Sequence, residues 1–210
     1  MTTQLPNELP LDNDFWQFSL LLWKNKTAQE ILLKLQDRDH LRVNLLLFSM
    51  WLGIEQKDIH QYILNALETT ESWHQKIVTP LRLIRKSLPV ELSTATLKPQ
   101  VQTSELLAEQ IEQALLFKSA LNNQAFAITK SPHDSSNKTL SILINNLLRC
   151  SSHAQSILEL NKTENRQNTK KSTLCQTDLL LLVQACLPMH SKAQITACLE
   201  SHTNSKLSRD

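Results

Sequence analysis

The chain has 210 residues, one glycine, seven prolines and a net charge of +2. Ordinary usage would supply about fifteen glycines. Phosphate loops, nucleophile elbows and tight β-hairpins need several, because they use positive φ or a close backbone approach, so those classes are excluded. The charge is balanced, 22 basic against 20 acidic, and leaves no basic stripe of the kind that displaces counterions from a duplex. Nucleic acid is therefore not favoured as a partner.

Leucine, a strong helix former, supplies 40 of the 210 residues. The fold expected is all-α, an irregular bundle of about seven to nine helices in one domain over residues 1–210, with its best-specified core at 12–88. The N-terminal MTTQLPNELPLDNDFW has neither a basic n-region nor an apolar h-region, and no apolar run approaches the roughly 18 residues of a membrane span. A cytoplasmic location without a membrane partner is expected. Four cysteines at 150, 175, 186 and 198 contain no CxxC pair, so a disulfide framework is not expected in such a compartment.

The first helix opens after Asp12 or Asp14 and runs through DFWQFSLLLW, with Phe15, Phe18 and Leu22 on one face and Trp16, Leu20 and Trp23 beside them. That breadth suggests packing on two sides. Thr27 and Glu30 have capping-box spacing and open a second helix on Ile31, Leu32 and Leu35. The third, about Leu41 to Leu52, is apolar nearly all round and belongs at the centre; Gly53 follows where a left-handed C-terminal residue is expected. A fourth, from Glu55 or Asp58 to Leu67, ends at Thr69 and Thr70.

Trp73, Ile77, Leu81, Ile84 and Leu88 then form a stripe spaced 4, 4, 3 and 4, the core face of a helix kinked or divided near Thr79 by Pro80. Residues 89–103 read as a connector. Beyond it lies a looser helical half at 104–200: a sixth helix from Ser104 to Leu121 on Leu107, Ile111, Ala114, Leu115 and Leu121, a loop at 129–138, and a seventh from Thr139 to Cys150, extending to Leu160. Residues 161–173, without a large apolar side chain, read as a loop. An eighth helix is capped by Thr177, and a short last one by Ser191 before a frayed tail.

The segment LQDRDHLRVN packs Gln36, Asp37, Arg38 and Asn44 between two apolar helices. With Arg82 and Arg85 these make a candidate ligand or partner site, since guanidinium groups bind carboxylate or phosphate bidentately. The alternative is a solvated turn whose charges pair and cap helix ends. Cys186 with His190 and Cys198 with His202 fall at i, i+4, but Pro188 interrupts the first pair, and no metal site is assigned. The four tryptophans read as core, and no catalytic residue or cofactor is identified. The function expected is a non-enzymatic interaction or adaptor protein with a protein partner; the alternative is a binder, possibly enzymatic, of a small anionic metabolite.

Three words, DFWQFSLLLW, ILLKLQDRDHLRVNLLLFSMWLG and WHQKIVTPLRLIRKSL, together resemble an uncharacterised bacterial family of small helical proteins, a domain of unknown function. The resemblance covers residues 14–88. Its motif positions are Phe15, Trp16, Phe18, Gln36, Asp37, Val43, Asn44, Phe48, Trp51, Trp73, Pro80, Leu81, Arg82 and Arg85. Where that family often has a Gly and an acidic residue, this chain has His40 and Arg42. The resemblance implies a bacterial cytosolic protein and brings no reaction or cofactor.

Overall fold

The computed structural model describes residues 8–89, 91, 95–123, 137–160 and 174–207, with 153–160 and 202–207 described by backbone alone. Their α-helices are α1 (Asp14–Trp23), α2 (Lys26–Asp39), α3 (Val43–Ile54), α4 (Ile63–Trp73), α5 (Thr79–Ser87), α6 (Leu97–Leu121), α7 (Asn137–Leu160), α8 (Gln176–Cys186) and α9 (Lys192–Leu207). A 3₁₀ turn, Ile59–Gln61, precedes α4, and a π turn, His74–Val78, joins α4 to α5. There is no strand among the described residues, as an all-α fold requires. The helices form two compact units, each discontinuous in sequence: Met1–Gln17 with Tyr62–Phe126, and Phe18–Gln61 with Ala127–Asp210. The loop expected at 161–173 lies outside the described residues, as does most of that expected at 129–138.

In the second unit α3 is the centre, buried from Asn44 to Gly53, as its all-round apolar pattern predicts. It runs antiparallel to α7, with Gly53 near Leu143 and Ser49 near Asn146. Leu140, Leu143, Ile144 and Leu147 form the buried face of α7. Asn146 acts as a staple: its Nδ2 donates to the carbonyls of Ser49 (3.2 Å) and Lys57 (2.8 Å), and its Oδ1 accepts from the Ile59 N–H at 3.0 Å. Lys34 of α2 reaches the buried Asp178 in the first turn of α8 at 2.8 Å.

Several helix starts differ from expectation by a residue or more. Asn13, not Asp12 or Asp14, caps α1, accepting from Trp16 N–H. Asn25 caps α2 in place of Thr27, and the Cys175 thiol accepts at the start of α8 in place of Thr177. α6 begins at Leu97 rather than Ser104. Pro99 sits in its first turn, where a missing N–H costs nothing. α4 starts after the 3₁₀ turn and runs through Thr69 and Thr70, the buried Thr70 hydroxyl being satisfied by donating back to the Ala66 carbonyl. α1 buries one face, Phe15, Ser19 and Leu22, while Leu20, Leu21 and Trp23 are exposed. On α9 the expected Ser191 cap is present: its hydroxyl accepts from Gln194 N–H, and Gln194 returns the bond to Ser191 N–H. The helix then continues to Leu207 instead of fraying.

Gly53 is not the left-handed residue that ends α3. It lies inside the helix, and Gln56 takes the positive φ (56°) instead, with Lys57 N–H bonded to the Leu52 carbonyl and Gln56 N–H to that of Gly53. The glycine is needed for close approach: a Cβ there would stand 2.7 Å from the Leu143 Cα of α7. On propensity alone Gly53→Ala would gain about 1 kcal/mol. The clash with a helix backbone reverses the sign, and a net loss of about 1–2 kcal/mol is expected in urea unfolding. An increase in stability would show that α7 does not pack this closely.

Candidate functional site

In the first unit α4, the π turn and α5 lie antiparallel to α6. Asn65 Nδ2 donates to the Ser119 carbonyl at 3.3 Å, and Trp73 Nε1 to the Ala108 carbonyl at 2.9 Å. Arg82 then meets Glu105. The inward face of α4 is Ile63, Ala66 and Thr70. An α-helix turns about 100° per residue, so continuing that face would bring Ile77, Leu81, Ile84 and Leu88 inward. The π turn absorbs one extra residue and rotates everything after it by about one position. His74 and Val78 are therefore buried, and Arg82 and Arg85 face α6.

This overturns the core assignment of the stripe. Ile77 is 37% exposed, Leu83 62% and Ile84 48%, and no residue of α5 is fully buried. On α6 the expected core also moves. Leu107 and Leu121 are exposed, and Ala108, Leu116, Phe117 and Ala120 are buried beside Ala114 and Leu115.

What faces α5 across the interface is a row of carboxylates. Glu105, Glu109 and Glu112 sit at i, i+4 and i+7, one face of α6. Arg82 Nε donates to Glu105 at 3.1 Å and its Nη2 to Glu109 at 2.5 Å. Arg85 grips Glu105 with both Nε and Nη2. His74 Nδ1 lies 3.0 Å from Glu112 Oε1. Glu105 and Glu112 are buried and need these partners, since an unpaired buried carboxylate is heavily penalised.

Burial pushes the Glu109 carboxyl above its ordinary value; Arg82 opposes the shift and the neighbouring Glu105 and Glu112 add to it. A carboxyl raised in the folded state binds its proton more tightly there than when unfolded. Its contribution to stability is thus greatest at low pH and is lost as pH rises from the ordinary 4.5 through the raised value. Glu109→Gln is expected to remove that downward slope from the stability–pH curve measured by urea unfolding; an unchanged slope would place the titration elsewhere.

Of the residues singled out in the sequence, Arg82 and Arg85 are brought together on one face of the first unit. Gln36, Asp37, Arg38 and Asn44 belong to the second: Gln36 half-buried, Asp37 and Arg38 exposed in the last turn of α2, Asn44 buried in α3. Arg38 forks onto the adjacent Asp39 at 2.7 and 2.5 Å. His40 ends α2 with φ 54°, so the turn that glycine would favour is made here by histidine. The partners of Arg82 and Arg85 were not anticipated. The i, i+4, i+7 glutamate row was their signal.

The cysteines are free thiols, and burial pushes Cys150 and Cys186 up to about 12, which keeps them protonated at neutral pH. No group of three His, Cys, Asp or Glu among the described residues is placed to hold a metal ion. The side chain of His202 lies outside the described residues. Trp51 is buried as core; Trp16 and Trp73 are half-buried, and Trp23 is exposed. No described helix is long and apolar enough to cross a membrane.

The class so defined is an all-α protein with an arginine–glutamate lock between two helices. The model of the family described as "Protein of unknown function (DUF2390)" matches residues 14–116, so this segment of the chain is similar to that family. The match runs past the resemblance at 14–88 and takes in Glu105, Glu109 and Glu112. No curated protein and no solved structure matches the chain.

Proposed function

We propose that the protein is a non-enzymatic, cytoplasmic protein-interaction or adaptor protein of a bacterial cell. The observation that supports this reading is the outward apolar face of α5. Single exposed leucines are ordinary, but Leu83 and Ile84 of α5 are exposed along with Ile77 of the preceding π turn, and Pro80, Leu81 and Leu88 are half-buried. Contiguous apolar surface of this kind marks an interaction site. The helix is held in that orientation by charge: the ion pairs to α6 fix its polar side inward and leave its apolar side out. The alternative, an anion-binding site, draws on Arg82 and Arg85, whose donors are directed at Glu105 and Glu109.

Affinity purification with mass spectrometry from the cells that carry the protein tests this reading. Wild-type protein is expected to retain a reproducible partner that the Leu83→Asp/Ile84→Asp variant loses. Identical profiles for the two proteins, or no reproducible partner of wild type, would contradict it.

A further inference from the structure

We propose that the π turn and α5 together form a two-register device governed by the charge of Glu105 and Glu109. With both carboxylates ionised, the segment holds the register described above, Arg82 and Arg85 against α6. With both protonated, the π turn relaxes to an α turn and α5 rotates by about 100°, the angle of one residue. That rotation brings Ile77, Leu81, Ile84 and Leu88 inward and takes the arginines out. The sequence carries both faces side by side. Val78, Arg82 and Arg85 are spaced 4 and 3, and Ile77, Leu81 and Ile84, one residue earlier, repeat the same spacing. Each set is a complete helical stripe, one suited to carboxylates and the other to an apolar wall.

Pro80 makes the observed register the resting one. It has no N–H for the Lys76 carbonyl, and its ring crowds that carbonyl in a continuous α-helix. The wider π turn, closed by the Thr79 N–H on the His74 carbonyl, relieves the crowding. Against this bias stands the apolar surface that the register leaves in water, Ile77 at 37% and Ile84 at 48% exposure. The carboxylates decide between the two. A guanidinium holds an ionised glutamate, whereas an apolar side chain in its place buries an unpaired charge. Protonation removes both effects, so low pH favours the rotated register. Glu109, which burial already holds above its ordinary value, takes up the first proton.

The charged groups around these carboxylates fit that assignment. Arg82 and Arg85 reach them from α5, and Glu112 shares their face of α6. His74, at the head of the π turn, precedes the rotation and keeps Glu112 in both registers. Lys76 and Lys86, on the moving segment, are exposed. α4 carries Glu68, exposed, and Glu71, which accepts from Gln75. The N-terminal segment, tied to α6 by the Gln110 bond to the Leu11 carbonyl, carries Glu8, Asp12 and Asp14, all exposed. The device does not depend on the interaction reading. Combined with it, the outer apolar face is presented while the carboxylates are charged and withdrawn when they are neutral.

Methyl NMR of the isoleucine-labelled full chain, with a soluble gadolinium chelate in the buffer, reads the exposure of Ile77 and Ile84; Ile77→Val and Ile84→Val assign their signals. Paramagnetic broadening of both is expected to fall about twofold or more between about pH 7 and about 4.5, as the rotated register becomes the major one. Glu105→Gln/Glu109→Gln should show the low broadening already at about pH 7, and Pro80→Ala should move the transition to higher pH. Deleting Gln75 removes the extra residue, so that a plain α-helix carries Arg82 and Arg85 to α6. In that protein both methyls should stay exposed at every pH at which circular dichroism shows the helices intact. Constant broadening in wild type while its helix content is kept overturns the proposal, and so does acid unfolding with no protected state before it. A folded Gln75 deletion that follows the same pH course as wild type also overturns it, because the π turn would then have no part in the change.

Discussion

Glu105→Ala is expected to lower the unfolding free energy by about 3 kcal/mol, because it leaves two part-buried guanidinium groups without their shared carboxylate. Arg82 keeps Glu109, but the Nε and Nη2 of Arg85 lose their shared acceptor at once. The change is measured by urea unfolding followed on tryptophan fluorescence, with Trp73, bonded to the Ala108 carbonyl, reporting on this unit. A loss of that size moves the melting temperature by roughly 6–12 °C in a chain of this length. Replacing the cluster together tests the same point from the other side. A Glu105→Leu/Arg82→Met/Arg85→Met protein removes the charges and their desolvation cost at once, so it should recover most of the loss or exceed wild type. Equal destabilisation by the single and triple variants would show that packing, not ion pairing, holds α5 to α6.

Asn146→Leu is expected to cost about 3–4 kcal/mol in the second unit. Leucine keeps the branching and number of heavy atoms and removes all three bonds, leaving the Ile59 N–H and the Lys57 carbonyl buried or nearly so without the side chain that satisfies them. Each buried backbone group so orphaned costs about 1–3 kcal/mol. The loss should appear as faster amide exchange at Ile59 and in the C-terminal turn of α3, where the chain leaves the helix through Gln56. A cost below about 1 kcal/mol would mean that these groups find other partners easily and that Asn146 is not what joins α7 to this turn.

How far the sequence could be read depended on whether the controlling contact was local. α3 was legible because every face is apolar, so no choice of register could misplace it. The Ser191 cap was legible because its partner, Gln194, is three residues away. Starts at Asn13, Asn25 and Cys175 were missed because adjacent polar residues could each cap the same helix, and the side chain that wins is set by the backbone geometry. Gly53 carried a correct expectation of necessity and a wrong one of cause: the close approach comes from Leu143, far along the chain.

The face of α5 was misread for a definite reason. Spacing assumes a constant 100° per residue, and one π turn before Pro80 breaks that assumption. Arg82 and Arg85 were visible as a pair, but the glutamates that receive them lie 20 to 27 residues away. Only the packing of α6 reveals that they bind carboxylates of their own chain.

The outward orientation of α5 is tested most directly by the stability of Leu83→Asp/Ile84→Asp against wild type in urea. If the π turn sets the face as described, both aspartates project into water, and the unfolding free energy should change by no more than about 1 kcal/mol, as at other surface positions. A loss of about 4 kcal/mol or more, the cost of forcing charge into a core, would mean that the stripe packs inward and that this surface is not open to a partner.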